Sequence, residues 1–229
     1  MKLQGWLAAA LLVALASCAT RRTIAPGAET TVGPAANSPT GVVSRWAWAL
    51  QARDHVAYAE LFTDDYRFQF APNDSAGNAF RASGWDRSRE AAAMEHLLSG
   101  GGALPPVVNI QVTIDDVLVA QPDPKSGMAP RWHRTVRTPI SVMITRDVDG
   151  AAEIAYISGY AMFYVTRGDS AHFEPARAAA RDSTRWYISR WEDETAVGYG
   201  EPGLHPLPTR KTTLGGVKAL YLAPATSAP

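Results

Sequence analysis

The residue that invites chemical interest first is Asp116. It shares parity with Val108, Ile110, Val112, Ile114 and Leu118, so strict alternation aims its carboxyl into an apolar interior. Desolvation there would raise the carboxyl pKa and make it a general base or a protonated donor. The neighbouring Asp115 opens a second reading, in which a β-bulge turns both carboxylates to solvent and lets Val117 and Val119 take over the inner face. Arg190 and Glu192 share parity with Trp186 and Ile188. Arg190 then clamps an anionic ligand with Glu192 orienting it, or the two form an ion pair at a solvated strand end. Trp186 and Trp191 read as packing residues. The five histidines carry no metal-ligand spacing: His55, His96, His172 and His205 fall at helix ends and in loops, and His133 points outward by parity. No nucleophile elbow, phosphate loop or dinucleotide fingerprint is present, and Gly100 to Gly102 reads as a helix stop. The sequence therefore implies neither a metal nor a cofactor.

Cys18 carries a different chemistry. It ends Leu15-Ala16-Ser17-Cys18, behind Lys2 and an apolar run from Trp6 to Ala16. That run suits a signal-peptide core and is too short to span a bilayer. An aliphatic residue, two small residues and a Cys resemble a lipobox, in which the thiol takes a diacylglycerol, the chain is cut before the Cys and the new amine is acylated. Each buried methylene contributes about 0.8 kcal/mol, so two or more fatty chains anchor stably. Residues 1–17 read as a lipoprotein signal peptide. Residues 18–38 read as the lipidated Cys and a Thr-, Ala-, Pro- and Gly-rich tether. Ala19 stands where an Asp would favour inner-membrane retention. The expected address is the cell envelope, at the outer membrane facing the periplasm in a Gram-negative cell.

Composition sets outer limits. The chain has 229 residues, with Lys+Arg and Asp+Glu both at 22, so there is no basic excess for a nucleic-acid partner or a polybasic membrane patch. The single Cys excludes an intramolecular disulfide and a Cys-based metal cage. A hydrophobic fraction of 46% suffices for a real core.

The elements that must position these residues begin at Ser38, an N-cap before Pro39, followed by the helical stripe Val43, Trp46, Ala47 and Leu50. Asp54 caps a short second helix, and Tyr66 to Phe70 alternate as a half-buried strand. A third helix starts near Ser88, burying Ala91, Met94, Leu97 and Leu98. Strands follow over Val108 to Val119, Trp132 to Thr145, Ile154 to Val165 and Arg185 to Asp193, separated by turn signals at Asp123-Pro124, Asp149-Gly150 and Gly168-Asp169. An antiparallel meander is the simplest topology. Apolarity on both parities of Ile154 to Val165 predicts a strand covered on both faces. Leu214 to Leu222 is a segment that docks back, and the end beyond it is frayed. Helices followed by long bent strands imply an α+β domain with helices packed in a curved antiparallel sheet.

The opening helix, Glu60-Leu61-Phe62-Thr63-Asp64-Asp65-Tyr66-Arg67-Phe68 and Trp186-Tyr187-Ile188-Ser189-Arg190-Trp191-Glu192-Asp193 resemble the NTF2-like superfamily, the cone-shaped barrel shared with SnoaL-type cyclases and ketosteroid isomerase. The resemblance covers residues 39–197, with 198–229 as a C-terminal extension. It implies a pocket at the open end of the cone and homodimers through the outer sheet face. Three functions stay open under it. The first is a non-catalytic module binding a partner or a small apolar or anionic ligand, with Tyr66, Asp116, Arg190 and Glu192 as binding residues. The second is an isomerase or cyclase with Asp116 as base and Tyr66, Tyr160 or Arg190 steadying an enolate. The third is a structural dimerisation module.

Overall fold

In a computed structural model the described residues are 32–80, 82–125, 127–168, 172–173, 182–196 and 209–222, all within the unit Thr31–Pro229. The expected signal peptide, Cys18, the expected tether up to residue 31, His205 and the tail beyond residue 222 lie outside them.

Helix α1 (Pro39–Gln51) starts where Ser38 accepts a hydrogen bond from the Gly41 amide at 2.9 Å, satisfying one of the helix's orphan donors. It buries Val42, Val43, Trp46, Ala49 and Leu50. Arg53 turns left-handed at φ 57, and Asp54 caps α2 (His55–Ala59) by accepting from the Ala57 amide at 2.8 Å. Strand β1 (Phe62–Gln69) sends Phe62, Tyr66 and Phe68 into the core. A 3-10 turn (Ala76–Phe80) and β2 (Trp85–Asp86) lead to α3 (Arg87–Ser99), whose N-cap is Asp86 rather than Ser88. The α3 stripe is Glu90, Ala93, Met94, Leu97 and Leu98; Ala91 is only half-buried, because the face is set by Glu90.

Strands β3 (Val107–Ile114), β4 (Ala120–Pro122), β5 (His133–Val148), β6 (Ala151–Arg167), β7 (Trp186–Thr195) and β8 (Thr209–Lys211) complete one sheet. Its order is β2-β1-β7-β6-β5-β3, with β4 on β5 and β8 on β6. β5, β6 and β7 form the expected antiparallel meander. The β5–β6 hairpin closes through Asp149 (φ 55) and Gly150 (φ 81), both left-handed as a tight twisted turn requires. β1, however, pairs with β7 in parallel, a geometry that needs a long crossover and no hairpin signal. Helix α4 (Leu214–Leu222) closes the chain and packs against α3, the 3-10 turn and β7.

Three expectations of side-chain direction change. The alternation over Val108 to Val119 does not persist: β3 ends at Ile114 and the chain leaves the sheet with Asp115 and Asp116 both exposed. Val117 and Val119 are exposed too, and Leu118 packs on the core instead. On β7 the register slips, Tyr164 facing Arg190 while Val165 faces Ile188, so Ser189 is an extra residue. That bulge reverses parity and turns Arg190 and Glu192 to the outer face beside Tyr164 and Met162. On β6, Ala155, Ile157, Ala161, Phe163 and Val165 are buried, whereas Tyr156, Tyr160, Met162 and Tyr164 lie on the outer face and stay partly or fully exposed. In the single chain the strand is thus covered on one side.

Candidate functional site: the polar centre of the cone

The curved sheet wraps α1 and α3 around an aromatic core in which Trp46, Phe163 and Trp191 meet at 5.1 Å between ring centroids. At its wide end a charged centre is buried. Glu90 of α3 and Lys218 of α4 are both 0% exposed, with Nζ 2.8 Å from Oε1. The ammonium also lies 3.8 Å from the ring centre of Phe68 and 3.6 Å from that of Trp191. The carboxylate and the two π faces together hold the ammonium. Glu90 also accepts from the Tyr58 hydroxyl, and at 2.7 Å from the Trp85 indole. Three helices and one strand are tied through one carboxylate.

Asp193 of β7 is the second buried acid. Its Oδ1 accepts from the Thr195 amide at 2.9 Å and hydroxyl at 2.6 Å, and its Oδ2 accepts from the Gly215 amide at 2.9 Å. Asp74 accepts from the Thr213 hydroxyl and the Ala76 amide. The Thr213 hydroxyl in turn accepts from Gly216 N at 2.9 Å, so the first turn of α4 is capped from the loop after β1. At the other end the Tyr221 hydroxyl donates to the Pro105 carbonyl at 2.9 Å, and Nδ1 of His96 lies 3.0 Å from the Tyr221 carbonyl. His96 thus meets α4 rather than open solvent.

Burial governs the proton affinities. It lowers Lys218 from the usual lysine value, with Glu90 and then Asp193 pulling in the opposite direction. It raises Asp193 against the bonds from Thr195 and Gly215. Burial and the Glu90 charge together push the Tyr58 and Tyr66 phenols well up. The Tyr66 hydroxyl and the Trp46 and Trp191 indole nitrogens are buried without a well-formed hydrogen bond.

Beside α4, Ile144, Ala155, Val217 and Tyr221 line a cavity of about 10 Å³, room for one water at most. A larger depression of about 300 Å³, lined by Thr40, Ser44, Asp115, Asp116, Val117 and Leu118, is open to solvent.

Among the residues singled out from sequence, only Tyr66 reaches the centre. Asp116 lies in the exposed loop of the open depression. Tyr160, Arg190 and Glu192 stand on the outer sheet face. There Arg190 lies 3.6 Å from the Tyr164 ring centre and 3.4 Å from Glu192, while Arg137 covers Tyr160 at 3.8 Å and meets Glu194 at 2.7 Å. The five do not converge. His172 pairs with Asp65 at 2.8 Å at the surface, with the His133 ring 5.7 Å away. Among the described residues no cluster of His, Cys, Asp and Glu could hold a metal ion.

Motif and strand parity do not single out this centre. Two signals pointed to it: Glu90 sits on the stripe of Met94 and Leu97, and Lys218 is the one charge within Leu214 to Leu222.

No family model and no curated protein matches the chain. Solved structures do. It is similar to a conserved protein from Planctomyces limnophilus at 18% identity, covering 69% of this chain and 92% of that one with a TM-score of 0.45. It is similar to an NTF2-like superfamily protein from Salmonella enterica at 12%, covering 73% and 92%, TM-score 0.44. A ketosteroid isomerase-like protein from Erwinia carotovora gives 12%, 67%, 89% and 0.39. By element order and sheet order the fold is an α+β domain in which a curved sheet wraps its helices, with the C-terminal helix packed into the core.

Proposed function

We propose that this chain is an envelope lipoprotein, moored through lipid on Cys18, whose NTF2-like domain is a non-catalytic module acting by protein contact at its outer sheet face. The observation that carries the reading is the occupied interior. The side chain of Lys218 occupies the space among Glu90, Phe68 and Trp191, and the cavity beside α4 holds about 10 Å³. Among the described residues no helix is long and apolar enough to cross a membrane.

The outer face has the chemistry of a contact surface. Tyr160 is 43% exposed, and Met143, Tyr156, Met162 and Tyr164 flank it with their rings and thioethers partly open. Arg137 with Glu194, and Arg190 with Glu192, place both signs of charge side by side across it. A patch rich in Tyr, Met and Arg with balanced charge is self-complementary about a two-fold axis, so a second copy of the chain is the occupant it favours.

Native mass spectrometry of the processed lipoprotein released from detergent tests this. A dimer carrying no further ligand is expected, and Tyr160→Glu turns it to monomer with the melting temperature kept within a few degrees. A parent that stays monomeric rejects the contact face, and a retained small molecule rejects the closed interior.

A further inference from the structure

The lysine at the centre of the cone is held as a ligand is held. Its ammonium has one carboxylate at 2.8 Å and two aromatic ring faces at 3.8 and 3.6 Å. Aromatic faces plus a desolvated carboxylate form a receptor for an alkylammonium ion, whichever chain supplies it. The receptor belongs to the cone: Phe68 lies on β1, Trp191 on β7, Glu90 on α3, with Tyr58 and Trp85 orienting the carboxylate. The occupant belongs to the extension. A methionine at this position would fill the same space but leave Glu90 buried without a counter-ion, so the carboxylate calls for an ammonium and not only for a side chain of this volume.

The helix that delivers it is attached at its ends. Thr213 and Gly215 bind Asp74 and Asp193 at the first turn, and Tyr221 binds Pro105 and His96 at the last. Between those points α4 meets the cone through Val217, Lys218 and Tyr221. The fully buried Tyr66 hydroxyl faces the same carboxylate.

We propose that the cone contains an alkylammonium-binding site and that α4 is its tethered occupant, displaced when a free primary alkylammonium takes the place of Lys218. This goes beyond the outer-face reading and does not depend on it. Displacement exchanges one ammonium for another against Glu90, so no charge is left buried alone.

The probe is n-butylammonium, which matches the lysine side chain, compared with n-butanol at equal concentration and constant ionic strength, on the full chain. In the parent, amide hydrogen exchange over residues 214–222 is expected to quicken at least threefold and saturate with n-butylammonium, while β5 and β6 keep their protection. In Lys218→Ala, n-butylammonium is expected to raise the melting temperature by several degrees and n-butanol not to. Exchange over 214–222 that ignores the amine overturns displacement, whatever the variant does, and leaves the outer-face dimer standing. Equal stabilisation of Lys218→Ala by amine and alcohol overturns an ammonium site, leaving an apolar hole. If Lys218→Ala does not fold, the parent's exchange decides alone.

Discussion

Replacing Lys218 by methionine separates charge from volume at the centre of the cone. The side chains are of similar length, and methionine is flexible enough to fill the space between Phe68 and Trp191, so the cavity contribution is small. What is lost is the counter-ion of a carboxylate with no exposed surface. Removing one partner of such a pair costs about 3–5 kcal/mol, because the other charge stays buried. Glu90 keeps its bonds from Tyr58 and Trp85, which places the expected loss toward the lower end, about 3 kcal/mol. The second substitution makes the argument sharp. In Lys218→Met with Glu90→Gln the buried charge is gone, and stability is expected to return to within about 1 kcal/mol of the parent, a coupling of about 2 kcal/mol or more. Urea unfolding at neutral pH, followed by the fluorescence of the buried tryptophans Trp46, Trp85 and Trp191, reads this directly, with the midpoint moving and the slope unchanged. A Lys218→Met midpoint equal to the parent's, or a double variant no better than the single, would refute a coupled buried pair.

Other outcomes follow from the same geometry. Asp193→Asn sets an amide donor against the Gly215 amide and is expected to cost about 1–3 kcal/mol, loosening α4 first in hydrogen exchange. Burial raises the Asp193 pKa in the fold, so its favourable contribution is complete below the ordinary 3.8 and is lost as pH rises through the folded value; the Asn variant is expected to lack that fall in a stability–pH series. At Gly159, φ is 145 and a Cβ would lie 2.7 Å from the Glu194 carbonyl oxygen, so Gly159→Ala is expected to lose about 1–3 kcal/mol in the same urea assay, and a neutral result refutes the close β6–β7 approach. Cys18→Ser is expected to leave the membrane fraction and lose fatty-acid label, and an unchanged fractionation refutes the lipid mooring.

Local chemistry made much of the fold legible. Ser38 and Asp54 announce helix starts because a side-chain oxygen must satisfy a free amide, and Asp149-Gly150 announces a hairpin because few residues adopt two left-handed conformations in succession. The alternation in β5 and β7 states which residues share a face as long as the strand is regular. Each misplacement marks a point where regularity ends for a reason outside the local pattern. The extra residue at Ser189 turned Arg190 and Glu192 outward, and the exit from the sheet after Ile114 put Asp116 in water. Neither event is encoded in period-two spacing; both are settled by how neighbouring strands must pair.

The charged centre shows the division most clearly. A glutamate on an apolar stripe and a lysine in an apolar helix are each visible in the chain, yet each alone reads as a misplaced charge. Their partnership exists only because α3 and α4, distant in sequence, are brought to the same end of a curved sheet, where exclusion of water makes the pair obligatory. Sequence determined which groups could carry charge into the core. Tertiary structure alone decided that they would neutralise one another there, since a Coulomb attraction becomes decisive only once folding has removed the solvent between the groups.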